Sequence, residues 1–260
     1  MRKAAVAGSF YPGEAAELTE SLDAMLGEAR GQPLHPKALV VPHAGYIYSG
    51  PIAASAYAQL KGRPIRKVVL VGPAHFVAVP GLALPAAEAL ETPLGVVEVD
   101  RELSAKVLAL GYVRKSEPAH QREHSLEVQL PFLQRVLGTF TVLPLAVGRS
   151  TGTEVAGVLE TVWGGEETLI LISTDLSHYL PYAAAQHMDS VTAKQVVALD
   201  YEELEHDQAC GATGLQGLLE VAKKRGMKGT QLDLRNSGDT AGDKSRVVGY
   251  GAWAFEEARQ

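Results

Sequence analysis

Three short apolar runs constrain this chain more than any other feature. Ala38-Leu39-Val40-Val41, Val68-Val69-Leu70-Val71 and Leu169-Ile170-Leu171-Ile172 are continuously apolar rather than alternating. Such a strand presents apolar side chains on both faces, so both must be covered, which is the pattern of a parallel sheet between two helical layers. The intervening segments read as those helices. Leu18, Leu22, Met25, Leu26 and Ala29 recur on one face of a helix over Glu14–Arg30, and Gly31 and Pro33 stop it. An Ala-rich helix covers Pro51–Leu60, and Asp100 caps another that ends near Leu110 with Gly111 just beyond. Thr153–Trp163, Tyr182–Leu199 and Gly211–Arg225 are helical, while Gly95–Val99, Thr141–Val147, Gln231–Leu234 and Val247–Phe255 are strands. Ser125–Leu137 has a helical pattern with Pro131 inside it, which must kink or restart the helix because proline donates no ladder hydrogen bond. No linker, repeat or charge run divides the chain. The expectation is an α/β protein: one three-layer α/β/α domain over residues 1–260 with a central, largely parallel mixed sheet.

Composition narrows the function classes. Of 260 residues 46% are hydrophobic, enough apolar surface to offset chain entropy. Lys and Arg total 24 against 30 Asp and Glu, a net charge of −6. That balance argues against a general nucleic-acid or membrane-surface binder, which needs a basic stripe, though a local basic pocket is allowed. No segment has the roughly 18 apolar residues of a membrane span, and no apolar leader follows Met1-Arg2-Lys3. The single cysteine, Cys210, cannot form an internal disulfide and suits a reducing compartment. The reading is therefore a cytoplasmic protein with no nucleic-acid or membrane partner.

Each of the three apolar runs delivers a histidine just past its C-terminal end: His43 in Pro42-His43-Ala44-Gly45-Tyr46, His75 in Gly72-Pro73-Ala74-His75, and His178 in Ser173-Thr174-Asp175-Leu176-Ser177-His178. One such histidine reads as an ordinary loop residue. Three at equivalent places read as a shared site, because ligands of open α/β sheets bind at that edge. Cys210 precedes the helix Gly211–Arg225, where the helix N-terminus favours a thiolate that is both nucleophile and soft metal ligand; the alternative is a small packing residue. Glu123 and His124 read either as groups that orient ligands or shuttle protons, or as a helix start capped by Ser125. Lys244 and Arg246, in the polar loop Asn236–Arg246, either hold an anionic group or belong to a hairpin loop locked by Asp–Lys pairs.

Seven segments then carry a resemblance. Ala7-Gly8-Ser9-Phe10-Tyr11-Pro12, Pro42–Gly50, Gly72–His75, Glu123–Leu133, Ser173–Tyr179, Cys210-Gly211 and Asn236–Thr240 follow the order of the Memo family, and the chain resembles its prokaryotic members over about Ala4 to Phe255. The resemblance implies the fold of the class III extradiol dioxygenases. It also implies a pocket in which His43, His75 and Cys210 bind iron or copper, with Asp175 and His178 as further pocket residues and His178 as acid–base group. Cys210 is expected to serve both as ligand and as reactive group. Glu123, His124, Tyr46 and Asp239 are expected to orient the ligands or contact substrate. A cysteine in place of the dioxygenase carboxylate softens the site and makes Cu(I) or zinc more competitive. The family's setting implies a pathway shared with an AMMECR-domain protein and a radical S-adenosylmethionine enzyme. Three functions follow: a metal-binding, redox-active, dioxygenase-like protein acting on a small molecule; a scaffold that binds an anionic peptide or partner in the same pocket; or a metal-free Cys–His enzyme.

Overall fold

The apolar runs form the middle of one sheet. The structure, a computed structural model, describes residues 1–29 and 34–258. The expected stop of the first helix at Gly31 and Pro33 lies outside the described residues. The strands are β1 (Ala38–Val41), β2 (Lys67–Pro73), β3 (Leu82–Leu84), β4 (Ala89–Thr92), β5 (Gly95–Val99), β6 (Val113–Lys115), β7 (Thr141–Val147), β8 (Thr168–Ser173), β9 (His178–Leu180), β10 (Lys228–Asn236) and β11 (Val247–Glu256). The helices are α1 (Ala15–Glu28), α2 (Tyr46–Tyr57), α3 (Arg101–Leu108), α4 (Glu117–Gln121), α5 (Leu130–Leu137), α6 (Gly152–Thr161), α7 (Tyr182–Ala198), α8 (Ala212–Lys224) and α9 (Ser237–Thr240).

The sheet order is β10-β11-β1-β8-β2-β7-β3-β6. Its centre, β1-β8-β2-β7, is parallel. Antiparallel pairings lie toward the margins, β11 against β1 and β10, and β3 against β7. Alternate residues of the central strands enter two separate cores. Val40, Val69, Val71, Leu143, Ile170 and Ile172 pack with α6 and α8. Leu39, Val41, Val68, Leu70, Leu169 and Leu171 pack with α1, α2 and α5. This is the three-layer arrangement the apolar runs require.

Several elements differ from the sequence reading. Helix α2 begins at Tyr46, five residues before the expected Pro51, and carries that proline inside it. Its entry is tied by the Tyr46 N–H, which donates to the Phe10 carbonyl at 2.7 Å. Pro131 restarts the helix as expected: a short 3-10 turn over Glu127–Gln129 gives way to α5, with the proline in its first turn, where no donor is needed. The three-residue β3, β6 and β9 and the four-residue β4 escape the pattern because they are too short to show a period. Among the described residues no helix is long and apolar enough to cross a membrane.

Candidate metal centre

The parallel centre of the sheet ends at one edge, and the site is built there. His43 follows β1, and its backbone N–H donates to Asp175 Oδ1 at 2.7 Å, tying the ends of β1 and β8 together. The His43 Nδ1 lies 2.9 Å from Ser173 Oγ. That hydroxyl already gives its hydrogen to the Ser125 carbonyl, at 2.6 Å. It also receives one from Gln129 Nε2 at 2.8 Å, and Gln129 is itself held by the Tyr57 hydroxyl at 2.7 Å. With its single hydrogen committed, Ser173 can only accept from His43. The proton of His43 therefore sits on Nδ1 and Nε2 presents a bare lone pair.

His75 is held by a different route. Its Nδ1 lies 2.9 Å from Glu123 Oε1, and its backbone N–H donates to Glu123 Oε2 at 2.6 Å. Burial works to raise the Glu123 carboxyl, but the His75 ring, the His75 N–H and the Ser125 N–H overcome it and hold the group at about 2. An ionised carboxylate only accepts, so the Nδ1 of His75 carries a proton.

The third member is His124. Its ring stacks on His75, with centroids 4.8 Å apart and planes 14° apart, and meets His43 edge-on at 5.5 Å. One ring nitrogen from each of His43, His75 and His124 lies within 4.8 Å of the other two. Metal–imidazole bonds of about 2.0–2.1 Å span such a set with modest side-chain adjustment. Burial first, and then the neighbouring imidazoles, hold His43 well below the usual histidine range. Burial likewise lowers His124. Neutral imidazole is the ligating form, so the donor type, the spacing and the lowered His43 and His124 fit a transition-metal ion.

The histidines sit in a cleft of about 780 Å³ whose further lining includes Phe10, Tyr48, Asp175, His178, Tyr179 and Tyr250. A sequence model of the Memo-like protein family matches residues 2–254. The chain belongs to the Memo family. A MEMO1 family protein of Aquifex aeolicus is 41% identical over 261 residues, covering 96% of this chain and 97% of that one. Those of Methanococcoides burtonii and Metallosphaera sedula are 38% and 34% identical, each covering at least 97% of both chains. Among solved structures, an uncharacterized protein from Escherichia coli K12 is similar with a TM-score of 0.51 and 14% identity, covering 83% of this chain and 98% of that one. At that identity the likeness concerns the fold.

In this Memo-family chain Cys210 stands beside the histidine set and is not among its three mutually close members. Its Sγ lies 3.4 Å from His43 Nε2, 3.7 Å from the Asp175 carbonyl and 3.8 Å from Thr174 Oγ1. A Cβ at Gly211 would lie 2.7 Å from Thr174 Cβ and 2.8 Å from the Ser173 carbonyl, so glycine lets this turn close on the end of β8. The thiolate expected from the helix start is not the resting form. Burial, and then the Asp175 carboxyl, push the Cys210 thiol up to about 12. Desolvation outweighs a helix that begins only at Ala212.

Asp175 has one oxygen on the His43 N–H and the other 3.9 Å from His43 Nε2, and its carboxyl is raised by burial. His178 lies on β9 at the exposed side of the cleft. Tyr46 is not a lining residue; it is buried, with its hydroxyl on the Val128 carbonyl at 2.6 Å, and Tyr48 lines the cleft instead. Asp239 is also outside the lining and caps α9, accepting from the Asn236 N–H and the Tyr182 hydroxyl.

Residues not singled out by pattern hold this arrangement in place. Arg2 donates to the Glu123 carbonyl at 2.6 Å and to the His120 carbonyl at 2.7 Å, and pairs with buried Glu127. Glu127 also accepts from the Ala5 and Val6 N–H groups and, at 2.6 Å, from the Tyr11 hydroxyl. The N-terminal strap is thereby seated so that Phe10 packs on His124, with ring centroids 4.7 Å apart. Ser173, Gln129, Arg2 and Glu127 have no distinguishing spacing; only the recurrence of acids and amides in Glu123–Gln129 hints at them.

Proposed function

We propose that this chain is a transition-metal protein of redox character, using iron or copper to act on a small molecule in the cleft. One observation carries the reading: Ser173 and Glu123 hold the Nδ1 atoms of His43 and His75, and with His124 the two rings present three nitrogens within 4.8 Å of one another in a cleft of about 780 Å³. His43, His75 and His124 would hold the ion, with Cys210 adjacent as a fourth donor once deprotonated. A bound ion would supply Lewis acidity and a redox couple at the cleft floor. The chain's own residues do the rest. Ser173 and Glu123 fix the imidazoles. Phe10, Tyr48 and Tyr250 give the cleft aromatic walls. His178, at the open side, is placed to exchange a proton with a bound molecule. The raised thiol of half-buried Cys210 beside buried His43 argues against the metal-free Cys–His enzyme, which needs a ready thiolate. The lone cysteine suits a reducing, cytoplasmic setting.

Elemental analysis of untagged protein tests this. About one iron or copper per chain is expected, lost in His43→Ala and His75→Ala with the fold retained. Metal-free protein that takes up neither ion on reconstitution would refute it.

A further inference from the structure

The metal reading says nothing about what the far side of the cleft recognises. Among the described residues that line the cleft, Arg246 is the one lysine or arginine. The chain is acidic overall, and Arg2, Arg101, Arg135, Arg225 and Arg235 each pair with a carboxylate. Among the described residues Arg246 is one of the arginines without such a pair. Its guanidinium lies over the Tyr179 ring, 5.4 Å from guanidinium carbon to centroid.

The fold puts that pair where it is. β9 pairs with β11, Val248 opposite His178 and Val247 opposite Leu180, with a register shift between the two valines. Arg246 immediately precedes β11, so it emerges beside Tyr179. Tyr179 itself is left-handed at φ +58, a conformation a bulky residue adopts only when its surroundings impose it. The result is a tyrosine ring on the cleft rim, 62% exposed, with a guanidinium over it. The ring of His178 is 5.9 Å from that of Tyr179, which joins Arg246 to the proton-exchanging residue in one row.

The neighbouring charges leave the guanidinium available. Asp243 also lines the cleft, but its carboxylate accepts the Ser245 N–H of its own loop at 2.9 Å. Lys244 lies 4.3 Å over the Tyr182 ring and does not line the cleft. Asp175 is committed to His43. A planar guanidinium offers a fork matched to a carboxylate. With no second lysine or arginine on the lining, a single negative charge is the match, and a phosphate dianion would be left half-compensated. The cleft lining also carries four aromatic rings, Phe10, Tyr48, Tyr179 and Tyr250.

We propose that Arg246 is the anion-recognition residue of the cleft and that the ligand is a monocarboxylate with a flat apolar body, its acid group on Arg246 and its body between the tyrosines. The proposal rests on the metal reading only in taking this cleft as the substrate site.

The test uses the full chain stripped of metal with a chelator, so that a carboxylate cannot register by ligating an ion. Binding of benzoate, benzamide, phenyl phosphate and acetate is followed by saturation-transfer NMR and calorimetry. Benzoate is expected to bind at least tenfold tighter than benzamide, acetate and phenyl phosphate. Arg246→Gln should weaken benzoate at least tenfold while leaving benzamide unchanged, and Arg246→Lys should recover part of the loss. Arg246 is exposed, so its variants should fold. Benzoate binding that is absent, matched by benzamide, or unchanged in Arg246→Gln overturns the assignment. Tighter binding of phenyl phosphate overturns the single-charge argument. Elemental analysis of the unstripped variant separates the two readings: metal content equal to wild type with lost benzoate binding supports Arg246, whereas wild type without metal removes the metal reading alone.

Discussion

Exchanging one atom at Glu127 should have a large consequence. It is buried, and its carboxylate gathers Arg2, the Ala5 and Val6 N–H groups and the Tyr11 hydroxyl. Glu127→Gln keeps the volume and removes one acceptor oxygen and the charge. If the amide nitrogen takes the Oε2 place it faces Arg2 and the Ala5 N–H; in the Oε1 place it faces the Val6 N–H and Tyr11. Either way a donor meets a donor, and the Arg2 guanidinium stays buried without its counter-ion. Breaking a buried pair by neutralising one partner costs about 3–5 kcal/mol. Arg2 keeps the His120 and Glu123 carbonyls as acceptors, which places the cost near the lower end, about 3 kcal/mol. For a domain of this length that is a fall in Tm of about 6 °C. Urea unfolding and amide hydrogen exchange measure it. Glu127→Gln should lower the midpoint, and the Ala5 and Val6 amides should exchange faster, because the strap is released before the sheet. An unfolding free energy within about 0.5 kcal/mol of wild type, with both amides still protected, would refute the claim that this carboxylate seats the strap.

Three further outcomes are expected. Glu123→Gln should weaken metal binding by about 10–100-fold, because an amide no longer forces the His75 proton onto Nδ1; an unchanged affinity in metal titration would show that Glu123 does not set the tautomer. Burial holds His120 down to about 4 with its Nε2 on the Ala83 carbonyl at 2.8 Å, so the unfolded chain takes up that proton near pH 6.5 and the native protein only near 4. Its contribution is complete above pH 6.5 and declines as pH falls toward 4, by up to about 3 kcal/mol, so His120→Gln should flatten the pH dependence of urea stability in that window; an unchanged slope would count against a buried neutral imidazole. Cys210 should react with iodoacetamide at pH 7.5 at least tenfold more slowly than free cysteine until urea is added, and a rate equal to free cysteine would contradict the raised thiol.

The central strands and the edge that carries the site were legible in the sequence because both rest on short-range chemistry. A run such as Leu169–Ile172 is apolar at successive positions, and a doubly covered strand buries every one of them. The histidines one or two residues past β1 and β2 had to emerge together, since parallel neighbours end at the same edge. The strand order, the short marginal strands and the early start of α2 were not legible, because they depend on partners far away in the chain. His124 enters the histidine set only because the segment after α4 folds over the ends of β2 and β8, which local sequence does not encode. The state of Cys210 shows the limit most sharply. Its position before a helix argues for thiolate, yet solvent exclusion by residues up to 167 positions away pushes the thiol the other way. Local sequence determines which groups reach the edge of the sheet, while proton positions, charge states and the choice among neighbouring donors follow from desolvation and hydrogen-bond geometry, which exist only once the chain has closed around them.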